Sequence, residues 1–117
     1  MKIRKARQIL KSFADDTRLR IIHLLKNTRE MNVTELCDAL GKKQSNISKH
    51  LTRLRLTGVV RDRREGNLVK YFLAKPATNA HRELLNAIIK GLSDVEVFKE
   101  DLKRTGLKKQ KITGGKK

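Results

Sequence analysis

Between residues 44 and 58 the apolar positions recur at spacings of four and three residues. Ile47, Leu51 and Leu54 form a stripe on one side of a helix, and Gly58 follows where a helix commonly ends. The opposite side carries hydroxyl and cationic side chains and no acidic one. Such groups pair with phosphates and base edges. The pattern predicts a DNA-recognition helix, and a solvated basic helix is the alternative interpretation.

Apolar residues at helical spacing predict three helices before this one. The first covers residues 3–14, the second is centred on the apolar run 19–25, and the third covers residues 33–40. Asn32, with a glutamate three residues later, gives the third helix a capping-box start, and Gly41 ends it. A short helix, a glycine turn and the helix from Gln44 together predict a helix-turn-helix.

After Gly58 the spacing changes from helical to extended. Residues 59–64 and 68–73 flank the glycine-containing turn 65–67, which predicts a β-hairpin rich in arginine. A basic hairpin behind a recognition helix is the wing of a winged helix-turn-helix. The predicted fold is mainly α with a small β-hairpin: four helices, the wing and a fifth helix.

The predicted fifth helix carries more apolar surface than a small domain needs. Its apolar face runs from residue 77 to residue 92, and Leu102 follows a predicted turn at residues 95–98. The acidic residues between 94 and 101 are interpreted as a solvated helix face. A surplus apolar face of this kind indicates a homodimer interface.

Charge changes the picture most. The 117 residues contain 29 basic and 12 acidic side chains, a net charge of +17, which indicates a polyanionic partner. Residues 1–75 hold 19 basic and 7 acidic side chains, residues 76–106 hold 5 of each, and residues 107–117 hold 5 basic ones. We therefore expect one domain over residues 1–105 that binds nucleic acid, and a flexible basic tail over residues 106–117.

Other classes of protein find little support in the sequence. It has no apolar run long enough for a membrane span and no secretion signal, and its one cysteine precludes an internal disulfide, so a cytoplasmic protein is expected. No paired-carboxylate site, phosphate-binding glycine loop or nucleophile–base pair indicates an enzyme, and no cofactor is expected. Cys37 is interpreted as a small packing residue, with a redox role as the alternative if Lys42 and Lys43 depress its pKa.

The leading functional hypothesis is a sequence-specific regulator that binds double-stranded DNA as a homodimer. The alternative is a winged-helix protein that binds nucleic acid without sequence specificity, in a structural or RNA-associated role. Residues expected to reach base edges lie at the start of the recognition helix: Gln44, Ser45, Asn46, Ser48 and Lys49. Those expected on phosphates or the flanking groove are Lys43, His50, Thr52, Arg53, Arg61, Arg63, Arg64, Asn67 and Lys70.

From Phe13 to Leu73 the chain resembles the ArsR/SmtB family of winged-helix repressors. The residues that carry the resemblance are FADDTRLRIIHLL and VTELCDALGKKQSNISKHLTRLRLTGVVRDRREGNLVKYFLA. The resemblance implies cytoplasmic homodimers that repress transcription at inverted repeats and release DNA on binding metal or another effector. It also implies a dimer built from the first and last helices, with the interface residues Ile9, Phe13, Leu84, Leu85, Ile88 and Leu92.

Metal ligands of the family are largely missing from this chain. Arsenic-responsive members resemble one another in a Cys-x-Cys-x-x-Cys pattern on the third helix, where this chain has Asn32, Thr34 and Cys37. One thiolate cannot hold a soft three-coordinate ion. Zinc-responsive members carry Asp and His ligands along the last helix, where this chain offers His81. We therefore expect no metal site and leave a small-molecule or redox effector open.

Overall fold

The computed structural model of the chain describes residues 1–106, so the predicted basic tail lies outside the described residues except for Gly106. Six helices and three strands follow one another in this part of the chain. They are α1 (Ile3–Ser12), α2 (Asp16–Thr28), β1 (Glu30–Met31), α3 (Val33–Leu40), α4 (Gln44–Leu56), β2 (Val60–Glu65), β3 (Leu68–Leu73), α5 (Asn79–Gly91) and α6 (Glu96–Arg104). The winged helix-turn-helix prediction is confirmed, with one more helix and one more strand than expected.

Helix α2 is the centre of the hydrophobic core. Its residues Ile21, Leu24 and Leu25 are at most 1% exposed, and they pack in one cluster with Leu36 of α3 and Ile47 of α4. Burial of a side chain of this kind stabilises the fold by about 1.5–3 kcal/mol. The most apolar segment of the N-terminal half therefore fixes the two helices of the helix-turn-helix.

The start and end of α3 follow the sequence signals. The Asn32 side chain accepts a hydrogen bond from the Glu35 N–H at 2.8 Å, and the Glu35 carboxylate accepts one from the Asn32 N–H at 2.9 Å. Gly41 ends the helix in the left-handed region with φ 66°, where a residue with a Cβ would be strained. The tight turn that follows leads directly into α4.

The wing is an antiparallel pair of strands extended by a third. The order in the sheet is β1-β3-β2, and Glu65 pairs with Leu68, so the hairpin loop is the two residues Gly66 and Asn67 rather than the predicted three. Gly66 has φ 64°, which suits a two-residue hairpin loop with glycine first. The strand β1 is two residues long, too short to leave a periodic signal in the sequence.

The predicted turn at residues 95–98 is wrong, because α6 begins there. Phe98 and Asp101, both buried, share one side of α6 with the half-buried Leu102. An acidic residue at a buried position breaks the apolar period, so the helical pattern was hidden. The interpretation of these acidic residues as a solvated face is also wrong for Asp101, which is 0% exposed.

The predicted fifth helix, α5, contributes little to the core. Leu85 is buried, Ile88 and Leu92 are half-buried, and Leu84 is 41% exposed. On α1, the predicted interface residue Ile9 is 1% exposed in the protomer's own core, whereas Leu10 beside it is 52% exposed. Within residues 1–106 no helix is long and apolar enough to cross a membrane.

Candidate nucleic-acid interface

Helix α4 separates its apolar and polar side chains cleanly. Ile47, Leu51 and Leu54 are at most 1% exposed, and they fix the helix on the core. The outer side presents exposed polar residues, among them Ser45 and Lys49. The rigid inner stripe thus orients the outer side chains toward solvent, as direct reading of base edges requires.

The N-terminus of α4 is open to an anion. Lys43 is the N-cap residue, and within the described part of the chain its side chain makes no capping hydrogen bond. The first backbone N–H groups of a helix lack intrahelical acceptors and carry partial positive charge, so they favour phosphate oxygens. Lys43 and Gln44 are both exposed beside them. A missing cap here leaves the N–H groups available to DNA.

The remaining predicted residues of α4 differ in exposure. Thr52 and Arg53 are exposed, and the Thr52 hydroxyl donates to the Ser48 carbonyl at 3.0 Å. Ser48 and Asn46 are half-buried. The amide oxygen of Asn46 is buried, without a hydrogen-bond partner among the described residues. Among the residues predicted to reach base edges, Gln44, Ser45 and Lys49 are therefore the most accessible.

His50 faces the protein more than the solvent. Its side chain is 13% exposed, and its Nδ1 lies 3.2 Å from a guanidinium nitrogen of Arg18 and 3.7 Å from a carboxylate oxygen of Asp15. Arg18 also donates to the carbonyls of Lys11 at 3.1 Å and Ser12 at 2.9 Å, at the end of α1. Arg18 thus connects the end of α1 to the middle of the recognition helix.

Burial has the largest effect on the protonation of His50. Burial and, after it, the charges of Arg18 and neighbouring lysines outweigh the attraction of Asp15 and lower the pKa of His50. A guanidinium donates and never accepts, so Nδ1 of His50 must be the acceptor and the proton lies on Nε2. Neutral His50 orients α4 through this contact, and no local pattern predicts its partners, because they lie more than thirty residues away.

Two of the wing residues predicted to contact DNA, Arg63 and Lys70, pair with acidic side chains of the protein itself. Arg63 donates to both carboxylate oxygens of Glu30, at 2.8 and 3.1 Å, and to Glu65 at 2.7 Å, and its guanidinium lies 5.6 Å from the centre of the Phe72 ring. Lys70 lies 3.7 Å from Glu30. The hydrogen bond from Arg63 holds the pKa of Glu30 below its usual value. Glu30 of β1 therefore neutralises part of the wing and fixes Arg63, a role that sequence reasoning missed.

The other predicted wing residues are exposed. Arg61, Arg64 and Asn67 make no side-chain hydrogen bond or ion pair within residues 1–106. The strand register places Arg61 on the same face as Arg63, whereas Arg64 lies on the other face near the loop. These three side chains are the ones that remain available to a phosphate backbone.

Cys37 is a packing residue in this structure. It lies on α3, half-buried and packed against the hydrophobic core. Burial, and then the neighbouring Asp38 carboxylate, raises the pKa of the thiol. Lys42 and Lys43 do not depress the pKa of this thiol, as the alternative redox interpretation would require, because the thiol is partly desolvated and lies next to a negative charge. In the part of the chain that the structure describes, no three His, Cys, Asp or Glu side chains form a group that could hold a metal ion.

Comparison with known proteins finds similarity in the region that contains the helix-turn-helix. A model of bacterial regulatory proteins of the arsR family matches residues 15–62, which span α2, α3, α4 and the start of β2. The chain is 45% identical over 67 residues to an arsenical resistance operon repressor of Escherichia coli, a match that covers 57% of each protein. It therefore spans less than two thirds of that repressor's length.

Two further similar proteins are matched over a larger share of their length. The arsenic resistance transcriptional regulator ArsR2 of Pseudomonas putida is 36% identical over 85 residues, which cover 73% of this chain and 74% of the regulator. The solved structure of HlyU from Vibrio cholerae superposes with a TM-score of 0.60 at 38% identity, over 75% of this chain and 97% of HlyU. On these similarities and its winged-helix fold, the chain belongs to the ArsR family of bacterial regulatory proteins, which are DNA-binding transcriptional regulators and not enzymes.

Proposed function

We propose that the chain is a repressor that binds inverted-repeat operator DNA as a homodimer. The observation that carries the proposal is the outer face of α4, where exposed Gln44, Ser45 and Lys49 lie opposite a fully buried apolar stripe. Recognition helices use residues of their N-terminal half on base edges in the major groove. Asn46 and Ser48 are half-buried, and they would contact base edges from closer to the helix axis.

Phosphate contacts would surround these base contacts. Lys43 and the N-terminus of α4 fit one phosphate, and Thr52 and Arg53 fit the same strand further along the helix. In the wing, Arg61, Arg64 and Asn67 are free to follow the backbone or the minor groove. Arg63 and Lys70 contribute charge, but their ties to Glu30 reduce it. His50 acts by orienting α4.

Exposed apolar side chains on α1 and α5 support the proposed homodimer. Exposed large apolar side chains occur on α1, where Ile3 is 80% and Leu10 is 52% exposed, and on α5, where Leu84 is 41% exposed. Residues 76–106, which contain α5, are neutral in a chain of charge +17, so two copies of the α5 surface do not repel each other, whereas α1 is cationic. The interface would use these exposed residues with Ile88 and Leu92, while Ile9, Phe13 and Leu85 support it from the core.

Regulation by the family's arsenic site is not expected, since Asn32 and Thr34 replace two of its thiolates. We predict that zinc, trivalent arsenic and chelators leave operator affinity unchanged. A filter-binding titration with each addition measures this directly. A large loss of affinity with any of the metals would reveal ligands that these residues do not supply.

Selection of bound fragments from random duplex DNA tests the proposal. The full chain should enrich a palindromic sequence whose half-sites lie about one helical turn apart, roughly 34 Å. Enrichment of an asymmetric site would exclude the symmetric dimer. No enrichment at all, with tight binding at low salt, would indicate a nucleic-acid-binding protein without sequence specificity.

A further inference from the structure

A cavity of about 310 Å³ lies between the base of the wing and α5. Its apolar walls come from Phe13, Val59, Leu73, Leu85 and Ile89. Small-molecule sites range from about 300 to 1,000 Å³, and most of their lining is apolar with a few polar groups that fix orientation. The cavity is therefore at the lower end of the size range for a metabolite site.

The polar part of the lining is cationic. Lys26 of α2, Lys75 after β3 and Arg82 of α5 line the cavity, with the amide of Asn86 and no acidic side chain. None of these three cations forms a side-chain hydrogen bond or ion pair within the described residues, unlike Arg18, Arg20 and Arg63. All three residues are exposed, and no acidic side chain of the lining neutralises them, so this side of the cavity carries a positive charge that attracts an anion.

The geometry points to a binding site for a small amphipathic organic anion, a carboxylate attached to an apolar body. The apolar walls take the body, and Arg82, with a planar fork of donors, suits the carboxylate. Inorganic phosphate would satisfy the cations but not the walls, and a neutral alkyl chain would satisfy the walls but not the cations. The site therefore requires both parts in one molecule.

The cavity lies between the wing, which is proposed to contact DNA, and α5. Val59 and Ala74 are joined by a backbone hydrogen bond of 2.9 Å at the base of the wing, and both line the cavity opposite α5. An anion bound here neutralises cations beside the wing, which weakens the attraction of this region for phosphates. The effect on DNA rests on the proposed function, whereas ligand binding itself does not.

Calorimetric titration of the full chain with octanoate tests the site, with 1-octanol and inorganic phosphate as probes that each lack one half of the ligand. We expect saturable binding of octanoate that is at least about tenfold tighter than binding of either control, because a charge-assisted hydrogen bond is added to apolar burial. Equal binding of octanol and octanoate, or no binding of octanoate, would overturn the inference.

Two variants locate the binding. Arg82→Gln should weaken octanoate binding about tenfold, and the matched control Lys90→Gln, on the same helix outside the cavity, should not change it. Ala74→Phe should block binding by filling the chamber, with circular dichroism confirming the fold. Equal affinity in Arg82→Gln and wild type would move the anion elsewhere and overturn the assignment.

The consequence for DNA has its own readout. Octanoate should weaken binding of the wild-type chain to its selected sequence and leave that of Arg82→Gln unchanged. If octanoate binds but DNA affinity does not change, the regulatory role is overturned and the site stands. If no selected sequence exists, the proposed function fails while the calorimetric result still decides the site.

Discussion

At the scale of single residues, Lys49 offers the clearest test of whether α4 recognises a DNA sequence. It is exposed on the outer face of α4, opposite the buried Ile47 and Leu51. Lys49→Ala should reduce discrimination between the selected sequence and random duplex by about 1–3 kcal/mol, because a base contact is lost. Parallel binding titrations on both DNAs at one salt concentration measure it.

The matched control is Lys90→Ala, which removes the same charge from α5. It should lower affinity for both DNAs slightly and equally. If Lys49→Ala also lowered both affinities equally, Lys49 would contact phosphate only.

His50 makes stability depend on pH. Its pKa is lowered in the folded chain by burial, from an ordinary value of 6.5. Above pH 6.5 the imidazole is neutral in both states, and as the pH falls toward the folded pKa the unfolded chain binds the proton first. The free energy of unfolding should therefore decrease on acidification, and it should decrease less in His50→Gln.

Urea titrations of both proteins at about pH 7.5 and about pH 5.5 give the difference. His23 and His81 are present in both proteins, so their contributions cancel. An identical loss of stability in wild type and His50→Gln would mean that burial does not lower the pKa of His50.

What the sequence predicts at this scale depends on separation along the chain. The capping box of Asn32 and Glu35 and the glycine at position 41 are local, and they are found as predicted. The links of His50 to Arg18 and of Arg63 to Glu30 span more than thirty residues, and they emerge only once the fold brings the elements together. Charge alone therefore overestimated which cations are free for DNA.

At the scale of elements, α6 is held on the helix-turn-helix by one buried carboxylate. Asp101 accepts hydrogen bonds from Arg20 of α2 at 2.7 and 2.9 Å and from Arg104 at 3.2 Å. The two arginines also donate to carbonyls at the end of α3, Arg20 to Leu40 and Arg104 to Ala39. The hydrogen bonds that Arg20 donates to the Asp101 carboxylate raise the pKa of Arg20. The cluster joins α2, α3 and α6.

Asp101→Asn should lower the free energy of unfolding by about 3 kcal/mol, because it leaves the mostly buried guanidinium of Arg20 without its counter-ion. Urea unfolding followed by circular dichroism measures the change. Asp94→Asn, which removes an exposed carboxylate just before the helix, is the control and should change stability by less than about 0.5 kcal/mol. Similar effects of the two substitutions would show that the cluster is not a structural link.

At the scale of the whole molecule, the surplus positive charge and the apolar face of α5 lie in different parts of the chain. The recognition helix and wing lie in the part with surplus positive charge, and the poorly buried helix α5 lies in the neutral part. The sequence indicated this division through composition. It overestimated the surplus of apolar residues, because Phe98 and Leu102 are used by α6 to cover the protomer itself.

The dimer is the property on which specific binding depends. In the proposed complex each α4 helix reads half of a palindrome, and a two-fold axis is needed to place the second helix about one turn of DNA away. Placing Asp at the exposed Leu84 should add a charge near that axis and split the dimer, since an unpaired buried carboxylate is costly. Ile88→Asp should act in the same way.

Leu84 is the safer position, because Ile88 also packs against the core of the protomer and its substitution lowers stability as well. Asn86→Asp is the control: it places the same charge on the opposite side of α5 and should leave the dimer intact. Sedimentation of the three variants measures the oligomeric state, and circular dichroism checks that each is folded. The Leu84→Asp monomer should keep its helical content and its binding to random DNA, and it should lose most of its affinity for the selected sequence. A Leu84→Asp protein that remained dimeric would place the interface away from this face of α5.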